Sequence, residues 1–302
     1  DLATPTASPP EVRLRQVTAS YGSTTALDAV DVTFPAGAIT GLLGRNGSGK
    51  TTMLSLVASL RRPNAGAVLV DGQDPFEDEA LMEQVCLIRE SGDVLEDEKV
   101  AVNLRYAADS RPTWDAELAG RVMETFQIDP TKTVRRLSRG QRSAFGTVLG
   151  LASRAPVTML DEVYLGMDAP SRYAFYDLLL EDYLAHPRTI ILSSHLIVEI
   201  ENLLEHVVIL DRGRVLVADE AEALRTQGLQ VTGRGADLDA LLPTLTGVTV
   251  LATRALGPTS QATLTGQPEL LRAAESELRA AGMEIGGIDL QDLFVHLTGR
   301  AA

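Results

Sequence analysis

Gly44-Arg45-Asn46-Gly47-Ser48-Gly49-Lys50-Thr51-Thr52 is the stretch whose reading decides the fold of this chain. It fits the phosphate-cradling pattern Gly-x4-Gly-Lys-[Ser/Thr]. Its flanks are the ones that pattern needs: Ala38-Ile39-Thr40-Gly41-Leu42-Leu43 reads as a buried strand, and Met53 to Leu60 is apolar at helical spacing. A strand that turns through glycines into a helix leaves backbone N–H groups without intrahelical partners. Those donors and the positive end of the helix dipole converge on one point, which is an anion site. Gly44, Gly47 and Gly49 let the backbone close around phosphate oxygens, with Asn46, Ser48 and Thr52 lining the same turn. Lys50 is placed to reach β- and γ-phosphates, and the Thr51 hydroxyl to ligate Mg²⁺. A turn with a merely solvated lysine would need neither the strand nor the helix.

Composition narrows the classes. The 302 residues allow one large domain and a smaller one, and 45% hydrophobic with 23% charged residues is ordinary for a folded chain. No apolar run approaches the roughly 18 residues a membrane span needs, so membrane work would require another chain. The formal charge of −14 argues against a nucleic-acid binder, which needs a basic face. The single cysteine, Cys86, lies in the apolar run Val85 to Ile88 and reads as a buried thiol, compatible with a reducing cytoplasm. Residues 1–10 lack the basic and apolar regions of a secretory signal and are expected to form a flexible tail.

Along the rest of the chain, Val12 to Val17 and Ala29 to Phe34 alternate as half-buried strands. Ala67 to Val70 and Val85 to Arg89 are further strands. From Val100 to Gln127 the pattern is helical and acidic, a helical insertion whose joint Trp114 anchors. Ser138 is an N-cap candidate for a mostly buried helix through Ala152. Val157 to Leu160 is a buried strand ending at Asp161-Glu162. Asp177 to Ala185 reads as helix, Thr189 to Leu192 as a strand closed by Ser193-Ser194-His195, and Val207 to Val217 as a hairpin. Alternating strands and helices predict a mostly parallel, covered sheet up to about residue 218. Past Asp219 short strands (Leu229 to Thr232, Val248 to Leu251, Gln261 to Leu264) alternate with helices (Leu238 to Leu245, Pro268 to Ala280, Leu290 to Leu297), predicting a small α+β domain over 219–302.

The carboxylates at the strand end suit phosphoryl transfer to water. That reaction needs a metal at the β/γ oxygens, neutralised charge on the γ-phosphate and an oriented water. Asp161 can accept from Mg²⁺-bound water. Glu162 beside it can take a proton from the attacking water, a role worth roughly 10²–10⁴-fold. His195, at another strand end of the same sheet, can donate to the γ-phosphate.

The ordered set resembles the ATP-binding cassette of ABC transporters. Leu137-Ser138-Arg139-Gly140-Gln141 matches the signature Leu-Ser-Gly-Gly-Gln at four of five positions. Asp161-Glu162 stands as the Walker B end, Gly166-Met167-Asp168 as the D-loop and His195 as the switch histidine. Tyr21 stands where the family stacks adenine on an aromatic ring. The resemblance covers Val12 to about Ala218. It implies an α/β P-loop NTPase fold over 11–218, with a mostly parallel core sheet, an antiparallel β subdomain and a helical subdomain at about 95–155. The tail from Asp289 to Arg300 is similar to the accessory end of multidrug- and bacitracin-exporter cassettes.

The resemblance further implies an ATPase using ATP and Mg²⁺, with Thr51, Asp161 and Glu90 at the metal. Ser138, Gly140, Gln141 and Asp168 would contribute to a nucleotide shared with a second cassette, since one phosphate loop and one signature make half of each of two pockets. The implied partners are that second cassette and transmembrane permease subunits, at the cytoplasmic face of the membrane. The sequence departs from the family pattern in three places: Glu90 stands for glutamine, Arg139 for a signature glycine, and the pair Val163-Tyr164 for Pro-Thr. An exporter subunit is the first reading. A soluble ABC-type ATPase and a weakly hydrolysing partner in a heterodimer stand as alternatives.

Overall fold

The computed structural model describes residues 8–90 and 93–299, in two units. One runs to Leu196 and resumes over Asn202–Ala218. The other comprises Ile197–Glu201 and the chain from Asp219 onward, so it takes in a short segment from within the 11–218 stretch expected to form the cassette. Most of the expected tail, residues 1–7, lies outside the described residues, as does Arg300.

In chain order the first unit contains β1 (Val12–Tyr21), β2 (Thr24–Phe34), β3 (Ile39–Leu43), α1 (Lys50–Val57), β4 (Ala65–Val70), α2 (Glu79–Met82) and β5 (Val85–Arg89). Helices α3 (Val100–Asp109), α4 (Ala116–Thr125) and α5 (Arg139–Ser153) follow, then β6 (Val157–Asp161), α6 (Ala169–Ala185) and β7 (Thr189–Ser194). After α7 (Ile197–Ile200), which belongs to the other unit, come β8 (His206–Asp211) and β9 (Arg214–Glu220). Strands β2-β1-β4 make an antiparallel sheet, and β5-β6-β7-β3-β8-β9 make a six-stranded sheet whose β5/β6, β6/β7, β7/β3 and β3/β8 pairs are parallel.

The parallel strands are apolar nearly throughout because helices cover both faces: every residue of β3, β6 and β7 is buried. Each buried Leu, Ile or Met there contributes about 1.5–3 kcal/mol of transfer free energy. Register then places the loops. Leu43 pairs with Ser194, Asp161 with Ser193 and Arg89 with Asp161. The residues that follow (Gly44, Glu162, Glu90 and His195) therefore leave the sheet side by side at its carboxyl edge, the usual ligand edge of an open α/β sheet.

Two differences from the sequence reading have local causes. β1 and β2 are longer than expected because register shifts between Leu14 and Ser20 break the two-residue alternation. α6 begins at Ala169 rather than Asp177, since Asp168 caps it by accepting from the Ser171 amide and Pro170 pre-sets its first turn. Trp114 lies half-buried between α3 and α4. At the start of α4, Asp115 accepts from Leu118 N at 2.7 Å and pairs with Arg154 at 2.6 Å. Arg154 also meets the buried Asp182, which holds the buried Arg188.

The second unit continues with α8 (Ala221–Arg225), β10 (Gly228–Arg234), α9 (Gly235–Leu241), β11 (Val248–Leu256), β12 (Thr259–Gly266), α10 (Pro268–Ala280), β13 (Glu284–Gly287) and α11 (Leu290–Gly299). From β10 to β13 the order is βαββαβ, and the antiparallel sheet runs β11-β12-β10-β13, the ferredoxin-like arrangement. Val231, Ala262 and Leu264 of the sheet pack with Leu238, Ala274 and Leu278. β13 escaped the sequence reading because four mostly exposed residues, two of them glycine, carry no alternation.

Candidate functional site

The phosphate loop begins at the end of β3 and closes into α1, whose N-cap is Gly49 at φ 112, a conformation L side chains rarely adopt. The cap makes no side-chain hydrogen bond, so the first amides of α1 remain available to an anion. A Cβ on Gly44 would come 2.4 Å from Ser48 Oγ and 2.6 Å from the Leu210 carbonyl, so the loop tolerates no side chain there. The Gly213 amide donates to the Ser48 carbonyl at 2.9 Å and fixes the loop to the β8–β9 turn.

Lys50 is 95% buried by side-chain exposure of 5%, and its Nζ donates to the Gly44 carbonyl at 2.7 Å while lying 3.3 Å from Glu162 Oε1. The same carboxylate oxygen is 3.3 Å from His195 Nδ1. Glu162 therefore sits between the loop's cation and the histidine at the end of β7. It does so at φ 52, left-handed backbone that costs a non-glycine residue on the order of 1–2 kcal/mol. Such strain is kept where the surroundings hold a residue for its position. Thr51 Oγ1 donates to Asp161 Oδ2 at 2.7 Å, and the buried Oδ1 of Asp161 has no hydrogen-bonding partner among the described residues. An orphaned carboxylate oxygen beside a hydroxyl is a donor set of the kind hard divalent cations take.

Lys50, Thr51, Asp161, Glu162 and His195 are thus brought together. Glu90 is not: its described contact is Arg139 Nη2 at 3.3 Å, rather than Thr51 or Asp161. Ser138, Gly140, Gln141 and Asp168 line a separate surface cavity of about 370 Å³ with Gln127 and Gly166, and no residue of the phosphate loop borders it. There Ser138 accepts from Gln141 N at 3.1 Å while the Gln141 side chain reaches back to Ser138 N, a capping box that fixes the start of α5. Asp168 has its carboxyl held below the usual range, first by the Ser171 side chain. Tyr21 is half-exposed, with the Arg61 guanidinium 4.2 Å from its ring centre. Its phenol is lowered by hydrogen bonding to Thr52 on α1 and to Arg61, which puts the ring beside the phosphate-loop helix.

One residue to which the sequence assigns no chemical role belongs to this site. In sequence, the departure at Tyr164 touches loop shape more than chemistry. It is fully buried, its hydroxyl donates to Ser194 Oγ at 2.7 Å, and the His195 amide donates to it at 3.3 Å. Burial drives its ionisation well above the ordinary tyrosine value, so the group is a neutral phenol fixing the turn that carries His195. A tyrosine two residues past Glu162, in an otherwise apolar loop, is the signal the sequence carries.

A strand, phosphate loop and helix, followed by a capped signature helix, paired carboxylates and a strand-end histidine on a parallel sheet, define a nucleotide-hydrolysing cassette. Residues 27–164 match the family model described as ABC transporter, and this chain carries an ABC transporter ATP-binding domain, an ATPase. Over 92% of its length the chain is 29% identical to the daunorubicin resistance ATP-binding protein DrrA3 of Streptomyces coeruleorubidus, covering 93% of that protein. Over 72% of its length it is 28% identical to the Fe(3+) ions import ATP-binding protein FbpC of Escherichia coli (strain K12), covering 64% of it. Among solved structures, the dimeric post-hydrolysis state of the ATP-binding cassette MJ0796, bound to ADP and Pi, superposes with TM-score 0.61 at 19% identity over 70% of this chain and 98% of that one, a likeness of fold.

Proposed function

We propose that this chain is the ATP-hydrolysing subunit of an exporter, working as one of two facing cassettes that drive separate transmembrane subunits. The observation that carries the reading is the placement of Glu162 between Lys50 and His195, with the signature residues on a different surface that borders no phosphate-loop residue. Half a site on each of two surfaces is what a paired machine needs. ATP binds at the phosphate loop, its γ-phosphate then meets the Ser138–Gly140 end of the partner's α5, and a helix N-terminus is a second anion site.

Thr51 and Asp161 would hold Mg²⁺, which when bound offsets charge on the β- and γ-phosphate oxygens. The chain's own groups do the rest. Lys50, held by Glu162 and two carbonyls, has phosphate oxygens to prefer on ATP binding. Its departure frees the Glu162 carboxylate to take the proton of an attacking water. Tyr21 offers its outer face to the base once Arg61 moves aside. His195, steered through Tyr164, reports on the γ-phosphate.

Export is supported by the relative whose name speaks of drug resistance, which aligns over nearly the whole chain, whereas the iron-import protein aligns over less. No helix among the described residues is long and apolar enough to cross a membrane, so the membrane path is assigned to partner permease subunits at the cytoplasmic face. A groove bordered by Leu87, Val94, Leu95, Tyr106 and Arg111, between β5 and α3, is where such subunits would couple.

The test is Glu162→Gln in the full chain. Steady-state hydrolysis should fall roughly 10²–10⁴-fold while ATP drives a stable dimer on size exclusion. Unchanged turnover removes Glu162 from the role of base, and a monomer at saturating ATP removes the paired machine. Purification from membranes with identification of what co-elutes decides between a transporter subunit and a soluble ATPase.

A further inference from the structure

Glu90 and Arg139 stand on two elements that serve different nucleotides in the proposed dimer. Glu90 follows β5, one residue past Arg89, which pairs in register with Asp161, so it stands at the edge of this chain's own pocket. Arg139 is the first residue of α5, between Ser138 and Gly140, at the helix end that the dimer reading turns toward the partner's γ-phosphate. Their side chains meet at 3.3 Å, with Arg139 77% and Glu90 49% exposed.

An ion pair that exposed contributes little to the fold, about 0–1 kcal/mol, and is easily exchanged. What it does is occupy a binding group. The guanidinium sits at the positive end of the α5 dipole, where anions are favoured, and its planar fork suits phosphate at least as well as carboxylate. The anion present there is a carboxylate of the same chain.

We propose that Glu90 is a built-in competitor of the partner's triphosphate: it holds Arg139 in the unpaired cassette and must be displaced before α5 can engage nucleotide across the dimer. This rests on the paired-cassette reading and adds regulation to it. Glu90 sets a threshold of ATP for pairing. The sign is specific. Removing the competitor's charge favours pairing, whereas removing the guanidinium disfavours it, and the first change has no purchase without the second residue.

The experiment uses the full chain in a Glu162→Gln background, with the dimer fraction followed by sedimentation velocity across an ATP titration. Glu90→Gln should lower the half-saturating ATP about two- to fivefold, the range an exposed pair gives, and the gain should shrink near 1 M salt, where charges a few ångströms apart are screened. Arg139→Ala should raise it by a similar factor, and Glu90→Gln added to Arg139→Ala should change nothing further. A Glu90→Gln chain that pairs no better, or that gains equally without Arg139, overturns the competition. A parent that is thermally stabilised by ATP yet never dimerises overturns the paired cassette itself, and the competition with it.

Discussion

Tyr164→Phe isolates one hydroxyl. The ring is fully buried, 6.4 Å centre to centre from both Tyr176 and His195, and phenylalanine keeps that packing. What is lost is the donation to Ser194 Oγ at 2.7 Å and the acceptance from the His195 amide at 3.3 Å. A net hydrogen bond contributes about 0.5–1.5 kcal/mol, and a buried partner left unsatisfied costs about 1–3 kcal/mol. Ser194 Oγ keeps the Leu196 amide at 2.9 Å, which places the sum near the lower end, about 1–2 kcal/mol. At roughly 2–4 °C per kcal/mol for a unit of this size, Tm should fall about 2–8 °C. The turn that carries His195 loses its anchor, and a misplacement of that kind is expected to lower kcat about tenfold with KM for ATP little changed. Calorimetry and coupled-assay ATPase kinetics read both. A lower Tm with an unchanged kcat would show that the hydroxyl supports the fold and does not position His195. An unchanged Tm would refute the accounting of the buried bond.

Gly49→Ala and Gly47→Ala separate strain from collision. Both glycines have positive φ, but a Cβ on Gly49 would lie 2.5 Å from the Ala26 carbonyl, whereas one on Gly47 meets nothing within 4 Å. Gly47→Ala should cost on the order of 1–2 kcal/mol and Gly49→Ala about 2–5 kcal/mol, with ATP-dependent thermal stabilisation lost only in the latter; equal costs would sink the argument. Cys86, the sole thiol, is buried and its ionisation is pushed up by that burial, so a disulfide reagent should label the native chain slowly and the denatured chain at once; fast native labelling contradicts the placement. Asp115 has its carboxyl held below the usual range, first by the Leu118 amide and then by Arg154 against the opposing effect of burial. A depressed folded value contributes stability that is present above the unfolded value, near 4, and disappears as pH falls through the folded one. Asp115→Asn keeps a cap acceptor, so it should lower Tm at pH 7 and narrow the gap between pH 7 and pH 3; an equal loss at both would refute the linkage.

The sequence alone determined a good deal. Strand, glycine turn and helix around Lys50 are local in the chain, so both the anion site and its flanking elements could be read from spacing. The apolar runs of β3, β5, β6 and β7 announced a covered parallel sheet for the same reason. Where order depended on short-range chemistry that is easily masked, the reading stopped short: register shifts hid half of β1 and β2, and glycines hid β13.

What the tertiary structure decided is which side chains meet. Parallel register sets Asp161 beside Ser193 and Arg89, and so brings Lys50, Glu162 and His195 to one carboxylate oxygen from positions 33 to 145 residues apart. Tyr164 gained a role only through contact with Ser194 and the His195 amide. Glu90 and Arg139, separate oddities along the chain, became a pair because α5 starts next to the end of β5. Periodicity records which face of an element is buried, but a hydrogen bond or ion pair between distant residues depends on distances of a few ångströms that only the packed chain sets.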